Sequence, residues 1–361
     1  MTDYFEIDFL DVECRKSGDA ITIRYQVGKF WYIHVVDGGF QTTGDSIIAH
    51  IKEYYDNPTH INHVILTHPD GDHAGGLRTV LENYRVETLW MLRPWLYAAE
   101  LLHRFPRVTS VDNLERFLRE AYPNIAALEE IAIRRGIYIA EPFQGAHIGE
   151  FAVLAPSRQR YLDLIARSEC TPASDAKGPL IRLSSLLFKS VAYVSTLVRA
   201  AWGEESFSPE EVSAENEMSV VQYANIANTR ILLTADVGRE GLNEVIGYAP
   251  FAGLPLPGVD RFQVPHHGSR RNLSTDILDR LLGPRLAAPV ERGQERFTAA
   301  ISSAKEDEAH PRKAVVRAMI HRGARVVATE GVSTRISQNA PARPSWVPAG
   351  SLPYPEDQEK D

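Results

Sequence analysis

At 361 residues the chain can bury one large core or two modest ones, and its composition, 44% hydrophobic and 24% charged, is that of a globular protein. A net charge of −8 excludes a broad basic surface, so any contact with nucleic acid has to be local. Two cysteines, Cys14 and Cys170, make neither a disulfide framework nor a CxxC zinc site, and a reducing, cytoplasmic setting is expected.

The first residues lack the basic and apolar segments of a signal peptide, and no uncharged apolar run reaches the ~18–20 residues that span a bilayer. A soluble chain without a transmembrane segment is expected. Residues 4–12, 20–25 and 30–36 read as three strands separated by turns. His34 alternates with strand neighbours and reads as a packed residue rather than a ligand. Asp37-Gly38-Gly39 ends the third strand, and Thr43-Gly44-Asp45 leads into a helix through about Tyr55.

A buried strand, Val64-Ile65-Leu66, then runs into Thr67-His68-Pro69-Asp70-Gly71-Asp72-His73-Ala74-Gly75-Gly76. His68, Asp70, Asp72 and His73 are four metal-binding side chains within six positions. Carboxylate oxygens and neutral imidazole nitrogens suit divalent cations, and a strand-to-helix turn gathers them. A polar turn with Asp72 as a helix N-cap would explain one aspartate and neither histidine. Gly71 suits a tight turn, and Gly75 and Gly76 permit close approach of a neighbouring element or ligand.

Further on, residues 77–83 read as a helix and 86–92 as a strand. Helical apolar spacing appears twice in 95–135, around Trp95–Arg104 and Val111–Arg135. Residues 136–140 and 151–156 return to strands. Residues 157–213 fit a layered plan least well, and residues 180–202 carry Leu183, Leu186, Leu187, Val191, Val194 and Val198 at the spacing of an amphipathic helix. We take 157–213 as an inserted helical segment, a lid over the site or a surface for a homodimer or partner protein. Strands resume at 218–223 and 230–236, a helix spans 240–248, and residues 261–265 lead into His266-His267-Gly268-Ser269-Arg270. Residues 296–303 and 325–329 read as the last two strands, flanking a helix from Pro311 to His321. Residues 338–361 form a Pro-rich acidic tail expected to pack loosely or stay disordered.

Asp236 closes an apolar strand and either caps the next helix or binds metal. His266 and His267 are adjacent at a strand end, where successive side chains alternate, so one suits a metal and the other a substrate or a ligand. We take His266 as the ligand and His267 as the substrate or proton-transfer residue, although either order fits. Arg270 and Arg271 suit phosphate, because guanidinium binds it bidentately, or are simply solvated.

The stretch from His68 to His73 resembles the HxHxDH signature of metallo-β-lactamase-fold hydrolases, with Asp70 in place of the second histidine. That variant, followed by Gly-Gly, is similar to the C-terminal hydrolase domain of ComEC-type competence proteins, the DNA-uptake channels. Phe9-Leu10-Asp11-Val12, Gly18-Asp19-Ala20, Asp37-Gly38-Gly39, Asp236 after its strand, His266-His267-Gly268-Ser269 and His310-Pro311 follow the order of that family. Ala235 stands where the family usually has glycine. The resemblance implies a four-layer αβ/βα metallo-β-lactamase sandwich over residues 1–337, as a soluble stand-alone form. It implies two divalent ions, zinc or manganese: His68 and Asp70 on one, Asp72, His73 and His266 on the other, Asp236 bridging both. Asp72, Asp236 and His267 are the expected catalytic residues, and Asn216, Ser269, Arg270 and His310 the expected substrate contacts. Residues 214–219 carry no histidine, which makes the first site oxygen-rich and favours harder ions such as Mn²⁺. The implied chemistry is phosphodiester hydrolysis of DNA. The rivals are a small-molecule hydrolase for lactones or cyclic nucleotides, and a weakly active regulatory subunit of a bacterial defence complex.

Overall fold

A computed structural model describes residues 2–12, 15–171 and 196–360. In chain order its first strands are β1 (Tyr4–Phe9), β2 (Ala20–Val27), β3 (Phe30–Gly38), β4 (His60–Ile65), β5 (Arg85–Trp90) and β6 (Tyr138–Ala140). With β15 (Thr334–Gln338) at its far edge, this set forms a seven-stranded sheet in the order β15-β1-β2-β3-β4-β5-β6. The second set is β7 (His147–Ile148), β8 (Phe151–Ala155), β10 (Val221–Ile226), β11 (Thr229–Leu233), β12 (Arg261–Gln263), β13 (Phe297–Ile301) and β14 (Ala324–Ala328). It forms a second seven-stranded sheet, β14-β13-β12-β11-β10-β8-β7.

The period-2 pattern of the sequence explains why the sheets stack. Phe5, Ile7 and Phe9 of β1 point one way and join Ile21, Ile23, Val153, Ala224, Ile231 and Leu233 in a core drawn from both sheets. Outside the first sheet, Ile33, Val35 and Val64 pack on Ile47, Ile51, Leu77 and Val80 of the helices Thr43–Tyr54 and Leu77–Asn83. Outside the second, Leu232, Phe262 and Ala299 pack on Leu242, Leu278, Val315 and Met319. Each such side chain contributes roughly 1.5–3 kcal/mol by leaving water. Helix, sheet, sheet, helix is the expected four-layer αβ/βα sandwich.

Several elements differ from the sequence reading. The run Val111–Arg135 is two helices, Val111–Ala121 and Pro123–Arg135, because Pro123 has no N–H to continue the first and suits the opening of the second. The amphipathic helix expected over 180–202 is overturned at its end: β9 (Thr196–Arg199) is a strand, and residues 180–195 lie outside the described residues. The strands at 297–301 and 324–328 are not the last, since β15 and β16 (Asp357–Lys360) follow. The loose tail is corrected too. β16 pairs antiparallel with β9, and the buried Glu359 carboxylate accepts from the N–H groups of Lys313 and Ala314, capping the helix Lys313–His321. Among the described residues, no helix is long and apolar enough to cross a membrane.

Candidate metal centre

Parallel strands place the site. β3, β4, β11, β12 and β13 each end at the same side of the sandwich, and the residues just beyond them meet there. Asp37 closes β3, His68 to Asp72 follow β4, Asp236 follows β11, His266 and His267 follow β12, and Ser302 follows β13. The glycines beside the motif let two loops press together. A Cβ on Gly76 would stand 2.2 Å from the Gly38 carbonyl oxygen. Four non-glycine residues here adopt positive φ, namely Asp37 (56°), Ala235 (47°), His266 (48°) and His267 (54°). Such strain persists where the surroundings over-determine it, commonly at functional sites.

Each histidine's orientation follows from its second nitrogen. Asp37 accepts from the Thr67 N–H (2.9 Å) and from the Thr67 hydroxyl (2.6 Å). With that hydroxyl hydrogen committed, Thr67 Oγ1 can only accept from His68 Nδ1, 3.0 Å away, leaving a lone pair on His68 Nε2. His73 Nδ1 lies 2.8 Å from Asp37 Oδ2, and His267 Nδ1 lies 2.9 Å from the Ser302 carbonyl oxygen. All three rings therefore turn Nε2 inward; for His73 and His267 a carboxylate and a carbonyl do the orienting, the common arrangement of a metal-binding imidazole, and for His68 a hydroxyl does.

Around Asp236 the three Nε2 atoms close in. His73 Nε2 is 3.5 Å from Asp236 Oδ1, and His68 Nε2 and His267 Nε2 are each 3.9 Å from Asp236 Oδ2. Asp70 Oδ2 lies 3.9 Å from His68 Nε2, and Asp72 Oδ2 lies 3.9 Å from His267 Nε2. Ligand atoms of Asp37, His68 and His73, of Asp72, His73 and His267, and of Asp19, Asp236 and His267 fall within 4.8 Å of one another in each group. Buried polar atoms seldom go unpaired. Here the Nε2 atoms of His68, His73 and His267, with Asp236 Oδ1 and Asp19 Oδ1, have no hydrogen-bond partner. Imidazole lone pairs and carboxylate oxygens directed at one point fit a divalent cation.

The charges agree. Burial resists charge on His73, but Asp236 and Asp37 outweigh it and hold its pKa well above the usual imidazole range. Burial likewise opposes charge on His267, yet Asp236, Asp72 and Asp19 push it up to about 9. Burial would raise Asp236, but His266, His73 and His267 keep it well below the usual carboxylate range. A cation entering among these groups displaces the imidazole protons.

His266 stands apart. Asn216 Nδ2 donates to its Nδ1 at 2.6 Å, its Nδ1 is 3.6 Å from Asp236 Oδ2, and burial pushes its pKa down to about 4. Its ring stacks on His310 at 5.8 Å, and His310 Nδ1 lies 3.2 Å from Asp307 Oδ2. Asn216, His266 and His310 thus meet on one rim. Three other residues taken from the sequence as substrate or phosphate contacts are engaged elsewhere. Arg270 is buried and donates to the Ser206 carbonyl (3.1 Å), Arg271 pairs with Glu210, and Ser269 Oγ accepts from the Arg271 N–H. Sequence reasoning passed over Asp19, Asp37 and Gln263. The turns Gly18-Asp19-Ala20 and Asp37-Gly38-Gly39 were visible as order markers, but nothing local says that their carboxylates fold inward.

Residues 28–133 match the Metallo-beta-lactamase superfamily, a minority of the chain that includes the His68–His73 motif. No curated protein matches at a significant level. Among solved structures, a Thermotoga maritima protein described as a metallo-beta-lactamase aligns at 11% identity over 65% of this chain and 79% of its own, with a TM-score of 0.27. A metallo-beta-lactamase from Hirschia baltica aligns at 16% identity over 43% of this chain and 57% of its own, with a TM-score of 0.21. At these scores neither structure bears on what the chain does. The superfamily match over 28–133, a superfamily mostly of metal-dependent hydrolases, points to that broad class of activity.

Proposed function

We propose that the chain is a metal-dependent phosphodiesterase with a dinuclear centre, its substrate class DNA or a smaller phosphodiester. The observation that carries this is the convergence of three unpartnered Nε2 atoms on Asp236, each ring with its Nδ1 facing an acceptor. Divalent ions, zinc or manganese, supply a stronger nucleophile from water near neutral pH and offset the charge developing on a phosphoryl group. His68 and Asp70 would hold one ion, Asp72, His73 and His267 the other, and Asp236 both. This exchanges the two adjacent histidines relative to the sequence expectation: His267 turns Nε2 inward, whereas His266 receives the Asn216 amide and keeps its hydrogen on Nε2. His266 then donates to a substrate oxygen, and His310, oriented by Asp307, lies beside it to hold the leaving side.

A smaller substrate is favoured by one further observation. Arg270 and Arg271, the cations expected to follow a nucleic-acid backbone, are engaged with Ser206 and Glu210. The test is hydrolysis by chelated and metal-reloaded protein of plasmid, single-stranded DNA, RNA and a cyclic-nucleotide panel. Metal-dependent cleavage of at least one phosphodiester is expected. A fully loaded protein inert on the whole panel would overturn this reading in favour of a binding or regulatory role.

A further inference from the structure

Asp19 stands under the centre, on the turn between β1 and β2. Its main chain is fixed against the motif: the Asp19 N–H donates to the Asp72 carbonyl (3.1 Å), and its carbonyl accepts from the Gly39 N–H (2.6 Å). The preceding turn is as tight, since a Cβ on Gly18 would lie 2.7 Å from the Asp72 carbonyl oxygen. Gln263 then orients the side chain. Its Oε1 accepts from the N–H groups of Thr234 (2.9 Å) and Ala235 (3.1 Å), so its amide nitrogen must face Asp19, donating to Oδ2 at 2.8 Å. Asp19 is 2% exposed, and its Oδ1 has no partner within hydrogen-bond distance; the Ser302 hydroxyl, itself unpartnered, faces the same carboxylate.

A carboxylate removed from water, with one oxygen held and the other bare, costs free energy unless a cation or donor completes it. The ligand atoms of Asp19, Asp236 and His267 lie within 4.8 Å of one another, and His267 Nε2 is also unpartnered. We infer that Asp19 is a further metal ligand, reaching from beneath the centre the ion that Asp72, Asp236 and His267 share. The inference rests on the metal-centre reading above and adds to it a third carboxylate on that ion. Oxygen ligands favour hard cations, while imidazoles serve zinc equally well. Asp19 therefore tilts this ion toward manganese.

The test is calorimetric titration of the chelated full-length protein with Mn²⁺ and, separately, Zn²⁺, for wild type and Asp19→Asn. The amide keeps the size of the side chain and an acceptor for Gln263 but brings no charge. Expected is a loss of about 100-fold in Mn²⁺ affinity at one of two sites and a clearly smaller loss for Zn²⁺; because a supporting residue can cost as much, the difference between the two ions decides, not the size of the loss. Equal losses for both metals, or none, would overturn the inference, because a carboxylate that only positions its neighbours does not discriminate between ions. Should Asp19→Asn fail to fold, a crystal structure of Mn²⁺-loaded wild type decides: an Asp19 oxygen in the coordination sphere supports the inference, and Oδ1 bonded to Ser302 refutes it. A wild-type protein that binds neither metal would instead refute the metal-centre reading itself.

Discussion

Glu6 and Asp8 on β1 and Asp19 and Asp236 at the centre are all carboxylates folded away from water, yet they are completed in different ways. Glu6 takes Arg24 and Arg335, each at 2.6 Å, and Arg343 at 2.7 Å. Asp8 takes Arg343 through both oxygens (2.9 and 2.8 Å), with His50 at 3.0 Å and the Tyr55 hydroxyl at 2.7 Å. The protein itself thus supplies positive charge to the first cluster, from β2, β15 and the tail. At the centre the neighbours are imidazoles whose second nitrogens are already committed, and among the described residues Asp236 pairs with histidines and with no arginine. Buried carboxylates serve as joints where permanently charged guanidinium closes them and as a receptor where imidazoles can give up their protons to a cation. The difference lies in the partners, not in the acids.

The largest expected effect comes from blunting the receptor. Asp236→Asn preserves side-chain volume and removes the charge that three imidazoles surround. We expect loss of most bound metal by elemental analysis, a fall of about 10²-fold or more in hydrolysis, and some loss of thermal stability in chelated protein, because the charge that His73 and His267 face is gone. Wild-type turnover by this variant on a confirmed phosphodiester would sink the dinuclear mechanism. Breaking the joint should do the reverse. Arg343→Ala strands Asp8 with His50 and Tyr55 and also strips the cation from the faces of Tyr54 and Trp346. Removing one partner of a buried ion pair costs about 3 kcal/mol or more, so urea unfolding should shift strongly while metal content stays unchanged. Equal metal loss in both variants would erase the distinction between joint and receptor.

Acid should separate the clusters more gently. Burial alone would raise the Asp8 pKa, but His50 and Arg343 outweigh it and hold it below the usual carboxylate range. A depressed folded pKa gives stability that is present above the unfolded value, about 3.9, and lost as pH falls through the folded value. Wild type should therefore lose stability below about pH 4. Asp8→Asn should start lower at neutral pH and decline less steeply across that window. Parallel curves for the two proteins would remove Asp8 from the account.

How much of this was legible beforehand follows the range of each interaction. The strands and the His68–His73 turn announce themselves through period-2 alternation and through ligand types within a few positions, which are local signals. Asp19 and Asp37 act only because the first turn, the end of β3 and the motif are folded into contact, so closely that a Cβ on Gly76 would stand 2.2 Å from the Gly38 carbonyl oxygen. β16 was invisible for a different reason. Asp-Gln-Glu-Lys has neither β-propensity nor apolar alternation, and it is a strand because β9 pairs with it and Glu359 caps a helix. The adjacent histidines do part, though in a turn at positive φ rather than by alternation along a strand, and which one turns inward depends on the Ser302 carbonyl and the Asn216 amide, each remote in sequence.

The smallest effect tests whether the receptor's strain can be relieved without altering its chemistry. Ala235 sits at φ +47°, two residues beyond the strand that ends in Leu233 and just before the buried Asp236. Its N–H donates to Gln263 and its carbonyl accepts from the His266 N–H at 3.1 Å, so the neighbouring backbone requires this conformation. A left-handed backbone costs a residue with a Cβ roughly 1–2 kcal/mol, which glycine avoids. Glycine in turn gives the unfolded chain more freedom, costing about 0.4–1 kcal/mol. The two terms oppose, and the first is slightly larger. Ala235→Gly should therefore stabilise the chelated protein by about 0.5 kcal/mol, with metal affinity unchanged, as read by urea unfolding and calorimetric titration. A destabilisation beyond 1 kcal/mol would show that the alanine methyl packs more productively than its backbone is strained. A change in metal affinity would show instead that Ala235 helps to set the position of Asp236, and the line drawn here between strain and ligand placement would fall.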